Sequence, residues 1–595
     1  MMPWFLRDPE RFRLERTGIK ELSRSAKWLI GAEWRFDSEL CLDAVILAHD
    51  HEYEVRVSFP VLYPDAPAIV RPQKMQSRVS THQYGGADGP LCLEWGPDNW
   101  HRDITAVQML ESTFRLFDIE NPLGENHPDI PVVAPSRHIL TVGQELRGKR
   151  ARWYASSALA DYFRAQPINS VGTFKFSLQM MCENLVVLIH EAMLIGGSGL
   201  TDEQMPMTLP GVGKLNAGFW FKTDLDKKTI GHPKKLADLR NSLVGMEGAK
   251  LLSTDGSSPV EGFGSLISSV LIVDQIGDLH LFIVFPDEDV FVFSQVKPEN
   301  ETIQTRSPEW EKLNDKTIGI VGLGSVGSKI AISLARMGCR KFYFVDHDLL
   351  LPENLRRHAL DWQGVIQHKV DAMKIAINLV APGAQIEVNR LHITGQESNA
   401  SVSGAIDRLA DCDVLIDATA NASVFNLLAA IARTASRHMI WMEVFGGGIG
   451  GLVARSRPWA DPTPQDMRLV YLQYCIDHPS QDLRPVPENY GVENEEGEVL
   501  VASDADVAII AHYAVRFVSD CFTQRECSKF PYSMYLIGLA KGWVFEAPFV
   551  VIPISMESCT VAGWDHDKKQ EFKTEDIKFL CDLLEKDNNE TSNTP

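Results

Sequence analysis

The stretch TIGIVGLGSVGSKIAISLARMGCRKFYFVDHDLLLPENLRRH, residues 317–358, constrains this chain most. An apolar strand runs into Gly322, Gly324 and Gly327, a helical segment follows, and a second strand ends in Asp346-His-Asp348. Glycines in such a strand–turn–helix let the backbone approach a phosphate, and the helix start offers N–H groups that have no partner inside the helix. By itself the pattern fits a dinucleotide site, which wants one acid for the ribose and no cationic cluster beyond it. Here Asn354 and Arg357 follow in ENLRRH, and Lys369 comes soon after. An acid with Asn, Arg and Lys suits a nucleoside triphosphate, the carboxylate on the ribose and the cations on the phosphates. Taken singly, Arg357 and Lys369 read as solvated surface charges; their joint spacing after the glycine turn argues for the phosphates. Lys374, one turn beyond Lys369, reads as solvated, and Arg356 beside Arg357 is ambiguous.

A chain of 595 residues exceeds one core and predicts three or four domains. Its hydrophobic content of 45% is that of an ordinary soluble protein. A formal charge of −21 argues against a direct nucleic-acid binder, which needs a basic face. The opening MMPWFLRDPERFRLER lacks the apolar core of a signal peptide, and no apolar run reaches membrane-spanning length. The expectation is a cytoplasmic protein with no membrane partner. Ten cysteines are scattered without paired metal spacing, so most are expected as reduced core residues.

The predicted fold class is α/β and multidomain. Residues 1–150 read as an α+β domain: a helix, strands AEWRF, LCLDAVILA and YEVRVSF, a Gly-rich loop, and the helix DITAVQMLESTFRLF. NPLGENHPDIPVVAP then marks a boundary. Residues 151–305 read as a mixed α/β connector with apolar strands SLISSVLIVDQI and LHLFIVF. Residues 306–585 read as a Rossmann-like domain with a mostly parallel sheet, a long loop after LVARS, and the helix ADVAIIAHYAVRFVSDCF. GGGIGG at 446–451 is read as a turn or close-packing site rather than a second phosphate loop. Residues 586–595, KDNNETSNTP, are predicted to be a disordered tail.

The nucleotide motifs resemble the adenylating domain of ubiquitin-activating enzymes and of the bacterial ThiF and MoeB enzymes that activate thiamine and molybdopterin sulfur carriers. That pattern is roughly GxGxxG, DxDxxxxxNLxRQ, then a Lys in the next helix. Here it stands as Gly322/Gly324/Gly327, Asp346-His-Asp348, Asn354-Leu-Arg-Arg357-His358 and Lys369. A later DxTDN motif appears as Asp417-Ala-Thr-Ala420-Asn421. The resemblance implies ATP with Mg2+ as cofactors, the glycines, Asp346, Asp348 and Asn354 on the nucleotide, and Arg357 and Lys369 as catalytic cations. The second Asp of DxTDN usually helps hold magnesium and is Ala420 here; Asp417 or Asp348 then takes the metal contact, or the metal is held more weakly.

The first domain resembles the ubiquitin-conjugating fold: Tyr63-Pro64 and Pro67, His82-Gln-Tyr84, Gly89, Leu91-Cys92-Leu93, Trp95 and Pro97. That fold's HPN asparagine is replaced by Tyr84, so an oxyanion donor falls to Tyr84, Asn99 or a backbone amide. The plain alternative for Cys92 is a buried core thiol; Gly-Pro on both sides of its segment favours a loop, where nucleophiles sit. His82 is equally well a structural hydrogen-bonding residue.

Together the two ends resemble the fused ubiquitin-activating and ubiquitin-conjugating enzymes of bacterial antiphage (CBASS-type) operons. This resemblance implies adenylation of a protein's C-terminal carboxylate, that of a cyclic-oligonucleotide synthase, thioester transfer over two cysteines, and attachment to a target amine by a homodimer. Cys92 is one thiol. For the other, Cys527 in RECSKFP leads, its neighbouring cations favouring the thiolate; Cys475, Cys521 and Cys559 compete. The rivals are a sulfur-carrier adenylyltransferase, a dinucleotide oxidoreductase and a non-catalytic scaffold.

Overall fold

The computed structural model describes residues 2–125, 142–203, 205–206, 209, 215–243, 268–284, 287–297, 308–394, 397–458, 460–479, 484–486, 491–493, 499–523, 528–557, 559, 564, 577–579 and 581. The boundary segment after Glu125, the tail and Cys527 lie outside the described residues. The chain forms two compact units, Met1–Arg150 and Ala151–Pro595. Among the described residues, no helix is long and apolar enough to cross a membrane.

In the first unit, α1 (Pro9–Ser25) starts on Asp8, whose carboxylate accepts from the Arg11 amide, with Pro9 in the first turn. Four antiparallel strands follow in sequence order: β1 (Leu29–Asp37), β2 (Glu39–Ala48), β3 (His51–Ser58) and β4 (Ile69–Pro72). Alternation turns Leu42, Ala44 and Ile46 of β2 and Tyr53, Val55 and Val57 of β3 inward, where they meet Ile19 of α1 and Met109, Leu110 and Phe117 of α2 (Ala106–Glu120). Glu15, fully buried, accepts from the Tyr63 hydroxyl and from the Ala106 amide at 2.9 Å, and it pairs with Arg11 at 2.7 Å. Each member of this network needs the others, because an unpartnered buried charge is costly.

The second unit opens with β5 (Ala151–Tyr154), α3 (Ser157–Ala165), β6 (Val171–Met181), β7 (Asn184–Leu194), β8 (Gly199–Thr201), β9 (Asn216–Lys222), α4 (Leu236–Ser242), β10 (Ser268–Val273), β11 (Leu279–Val284) and β12 (Val290–Val296). The sheet order is β5-β12-β11-β10-β9-β6-β7-β8, and β5 also pairs with β7, so the strands close on themselves. Trp153, Phe174, Phe176, Trp220 and Leu281 pack there with Leu159 and Phe163 of α3.

Residues from Thr317 onward build an eight-stranded sheet: β13 (Thr317–Val321), β14 (Lys341–Val345), β15 (Gln385–Asn389), β16 (Val414–Asp417), β17 (His438–Val444) and β18 (Gly450–Ser456). A small sheet of β19 (Arg484–Val486), β20 (Gly491–Glu493) and β21 (Val499–Val501) intervenes. The closing strands are β22 (Met534–Gly538) and β23 (Val551–Pro553). The order is β15-β14-β13-β16-β17-β18-β22-β23. The helices are α5 (Ser325–Met337), α6 (Lys369–Val380), α7 (Asn399–Ala410), α8 (Ala422–Ala435), α9 (Pro464–Asp477) and α10 (Asp504–Thr523). One face of the sheet packs Ile318, Ile320 and Phe344 on Ile330, Met373 and Ile510 of α5, α6 and α10. The other packs Leu415, Val345 and Trp441 on Leu409, Leu428 and Met467 of α7, α8 and α9.

Two features depart from the sequence expectation. The sheet is mixed rather than mostly parallel: β15 to β17 are parallel, but β17–β18, β18–β22 and β22–β23 are antiparallel. The cause is the glycine run. The Phe445 amide donates to the Gly450 carbonyl at 2.8 Å, and Gly447 and Gly448 take φ of +70° and +75°, so the chain reverses at once instead of crossing over through a helix. Helix α9 also replaces part of the expected long loop. It buries too little on any one side to show a periodic stripe, although Thr463 caps it and Pro464 opens it.

Candidate active site

Strand β13 lies at the centre of the parallel part, with β14 on one side and β16 on the other. The chain order reverses here, and ligands of open α/β sheets bind at the carboxyl ends of strands at such a point. Val321, the last residue of β13, stands opposite Val345 on one side and Asp417 on the other. Asp346 and Asp417 therefore flank the glycine turn from two strands. Gly322 takes φ +88°, and a Cβ there would sit 2.8 Å from Thr419 Cγ2. A Cβ on Gly327 would sit 2.0 Å from the Gly322 carbonyl oxygen, so α5 packs directly on the turn. A Cβ on Gly324 would meet nothing within 4 Å: this is the open side. No side chain caps α5 at Gly324, which leaves its first N–H groups for a ligand.

Asp346, nearly buried, accepts from the Leu323 amide at 2.6 Å and the Asp348 amide at 2.8 Å, so it holds the turn. His358 supports the turn from behind. Its Nε2 bonds the Leu323 carbonyl at 2.7 Å and its Nδ1 accepts from the Leu360 amide at 3.1 Å. Burial pushes His358 down to about 4, which keeps it neutral. Lys369 opens α6 and pairs with Asp348 at 2.7 Å. Burial opposes the charge of Asp348, but the Lys369 hydrogen bond and charge prevail and hold its carboxyl below the usual range. Asn354 caps a short 3-10 turn, its side-chain oxygen accepting from the Leu351 amide at 3.0 Å. Arg357 follows it and donates to the Ala502 carbonyl at 3.2 Å, while Lys329 donates to the Arg357 carbonyl at 2.6 Å and pairs with Asp504 at 2.7 Å. Lys329 and His358 are supports that motif reading missed; His358 stood in the quoted motif, and Lys329 falls on the helix face turned to the ENLRRH loop.

The open glycine turn, the uncapped helix and the cations fit a nucleotide triphosphate. For a divalent cation, Asp346, His347 and Asp348 each bring a ligand atom within 4.8 Å of the others. Asp417 is buried and receives both the Thr419 amide and hydroxyl on one oxygen; burial pushes its carboxyl up. It lines a cavity of about 280 Å³ with Ala420, Asn421, Glu443, Arg468 and Cys475. Asn421 caps α8 through the Ser423 and Val424 amides, and Ala420 takes φ +52°.

Of the competing thiols among the described residues, Cys475 lines this cavity. Burial raises it above the usual thiol range, a Tyr471 hydrogen bond works the other way, and Glu443 adds to the rise. Cys521 is buried in the core and pushed up to about 12 by burial. Cys559 is half-buried, and Cys527 lies outside the described residues.

In the first unit, Cys92 is buried, and its amide donates to the His82 carbonyl at 2.6 Å. Leu91, just before it, bridges to Gln83 and donates to the Val70 carbonyl. Fully buried Gln83 organises the preceding loop: its amide nitrogen reaches the carbonyls of Gly86, Ala87 and Gly89, each at 3.1 Å, and its oxygen accepts from the Val79 amide. The sequence reading passed over Gln83 in favour of its neighbours; a polar residue opening a glycine-rich loop was the available signal. A Cβ on Gly89 would fall 1.5 Å from the Tyr84 carbonyl oxygen. His82 stands 3.8 Å from Glu120, which accepts from Thr81 at 2.9 Å. Asn99 closes the turn after Cys92, accepting from the Gly96 amide and donating to the Glu94 carbonyl, both at 2.7 Å.

Residues 300–463 match the ThiF family. The chain is 28% identical over 155 residues to the ATP-dependent ubiquitin transferase-like protein Cap2 of Pseudomonas aeruginosa, covering 25% of this chain and 26% of that protein. It is 30% identical over 145 residues to ubiquitin-like modifier-activating enzyme 5 of Caenorhabditis briggsae, covering 23% of this chain and 32% of that one. Among solved structures, MccB of E. coli with ATP is similar with a TM-score of 0.32 at 14% identity, covering 43% of this chain and 69% of that chain. The chain thus matches between a quarter and a third of the length of these two relatives. The family match spans the stretch from Gly322 through Arg357 and Lys369 to Asp417, and so the C-terminal half of the chain carries a ThiF-family domain.

Proposed function

We propose that the chain uses ATP and Mg2+ to adenylate the C-terminal carboxylate of a protein and passes the acyl group to an amine. The observation that carries this reading is the glycine turn at the switch point, open at Gly324 and flanked by Asp346 and the Asp348–Lys369 pair. The carboxylate attacks the α-phosphorus, pyrophosphate leaves, and an acyl-adenylate remains. Lys369 and Arg357 offset charge on the phosphates, and Asp346 takes the ribose. Asp348 or Asp417, nearby in the fold, would hold the magnesium. A cysteine thiolate then displaces AMP and keeps the acyl group as a thioester; the second thiol accepts it by exchange, and an amine attacks to give an amide, releasing the thiol and a proton.

In this reading Cys527 is the first thiol and Cys92 the second, on a unit of ubiquitin-conjugating type. The protein substrate is a cyclic-oligonucleotide synthase, the setting antiviral defence in the cytoplasm, and the working form a homodimer. The domains run 1–150, 151–305 and 306–585. Cys475 is the competing first thiol, favoured by its place in the Asp417 cavity and disfavoured by its raised titration.

ATP–pyrophosphate exchange with a candidate protein substrate tests the activation step. Exchange that is lost in Lys369→Ala supports it; none in the wild type with substrate present removes it. A thiol-sensitive adduct lost in Cys527→Ala and kept in Cys475→Ala supports the assigned relay, and the reverse pattern moves the first thiol to Cys475.

A further inference from the structure

A second cavity, of about 380 Å³, lies at the opposite end of the sheet. Lys316 and Asp413 precede β13 and β16, Ser436 to His438 lead into β17, and Arg457 follows β18, which runs the other way. All of them therefore stand at the amino ends of the parallel strands, away from Gly322. The proposed activity has no use for them.

The charges there are not balanced. Asp413 accepts from Lys316 at 3.0 Å and from the Thr317 amide at 2.9 Å. Asp461 takes Arg457 through two nitrogens, at 2.8 and 3.1 Å. Asp520, which also lines the cavity, is engaged by Arg455, by the Ser528 hydroxyl at 2.7 Å and by the Lys529 amide at 2.9 Å. Every acid is thus committed to a partner of its own. Among the described residues Arg437 makes no ion pair; its Nε donates to the Ala410 carbonyl at 2.8 Å, and its two outer nitrogens have no hydrogen-bond partner among those residues.

Beside Arg437, two buried polar atoms have no partner: Ser436 Oγ and His438 Nδ1. Orphaned buried polar atoms are uncommon and costly, and they often mark an absent ligand. Burial pushes His438 down to about 4, so its ring is neutral and its Nδ1 is able to carry a hydrogen. A forked guanidinium, a hydroxyl and an imidazole N–H are three donors on residues that line one concavity, the donor set that recognises an oxyanion. The volume lies within the range of small-molecule sites.

We infer that this cavity is a binding site for a small phosphate-type oxyanion, free or carried by a nucleotide, held by Arg437, Ser436 and His438 and separate from the ATP site. Calorimetry on the full chain, presaturated with Mg2+ and a non-hydrolysable ATP analogue, tests it. The probes are inorganic phosphate and, in a second arm, AMP. Saturable binding of one phosphate per chain is expected, weakened at least about tenfold by Arg437→Gln and severalfold by Ser436→Ala, and unchanged by Lys369→Met. Ser436→Ala decides alone if Arg437→Gln fails to fold. AMP binding more tightly than phosphate assigns a nucleotide; equal affinity assigns the free ion. Absence of binding by either probe at tens of millimolar, or binding indifferent to both cavity variants, overturns the site.

Discussion

Burial holds His358 well below a free imidazole, against the Leu323 carbonyl, which favours the proton; the acceptor role of Nδ1 works with burial. Nε2 must donate to Leu323 while Nδ1 must accept from Leu360, and a second proton would destroy the acceptor. The folded value near 4 lies below the unfolded value near 6.5. The unfolded chain therefore binds more protons between these limits. The stabilisation is complete above about pH 6.5 and is lost as pH falls towards 4, at most about 3 kcal/mol by linkage. Urea midpoints measured from pH 7.5 to 5 should fall in the wild type and fall less in His358→Gln; equal slopes would remove His358 as the cause. Gly327 gives a sharper test of the turn. A methyl 2.0 Å from the Gly322 carbonyl forces α5 off the turn, so Gly327→Ala should weaken ATP binding at least about tenfold, with circular dichroism little changed. Unaltered calorimetric affinity would mean that the turn does not seat the phosphates.

Elements differ in how openly the sequence declares them. Strand β13, its glycines and α5 were legible because three local signals coincide: a short apolar run, a turn that needs glycine, and a helix with Ile330 and Leu334 on one side. Helix α9 hid because Tyr471 and Arg468 line a cavity while Leu469, Leu472 and Ile476 face solvent, which erases any one-sided pattern. Its start is the legible part. The Thr463 hydroxyl accepts from the Asp466 amide at 3.3 Å, so Thr463→Ala should cost about 1 kcal/mol, read as a lower urea midpoint of the C-terminal transition. No shift would show that tertiary packing alone holds α9. The antiparallel strands were misread for a different reason. Glycines specify permission to turn, but whether a chain reverses or crosses over depends on what the next strand meets, and a methyl on Gly448 would meet Asp506 Oδ2 at 2.7 Å. The candidate site divides the same way: motif positions were legible, whereas the roles of Gln83, Lys329 and His358 were not, because each supports backbone through bonds that only the fold brings together.

At the scale of the molecule, the core of the first unit, among the described residues, is built from its own side chains, from Trp4 to Phe117. A fragment of residues 1–150 should therefore unfold cooperatively by itself in urea; a broad, non-cooperative loss of ellipticity would show that it needs the rest of the chain. In the second unit, α10 connects distant events. Beside its first residues, the Ala502 carbonyl receives Arg357, and Asp504 receives Lys329; near its end, Asp520 receives Arg455. A helix of twenty residues is about 30 Å long and resists compression along its axis. If it transmits load as a strut, filling the far concavity should slow deuteration around Asp504; unchanged exchange there would show that the two tips are independent.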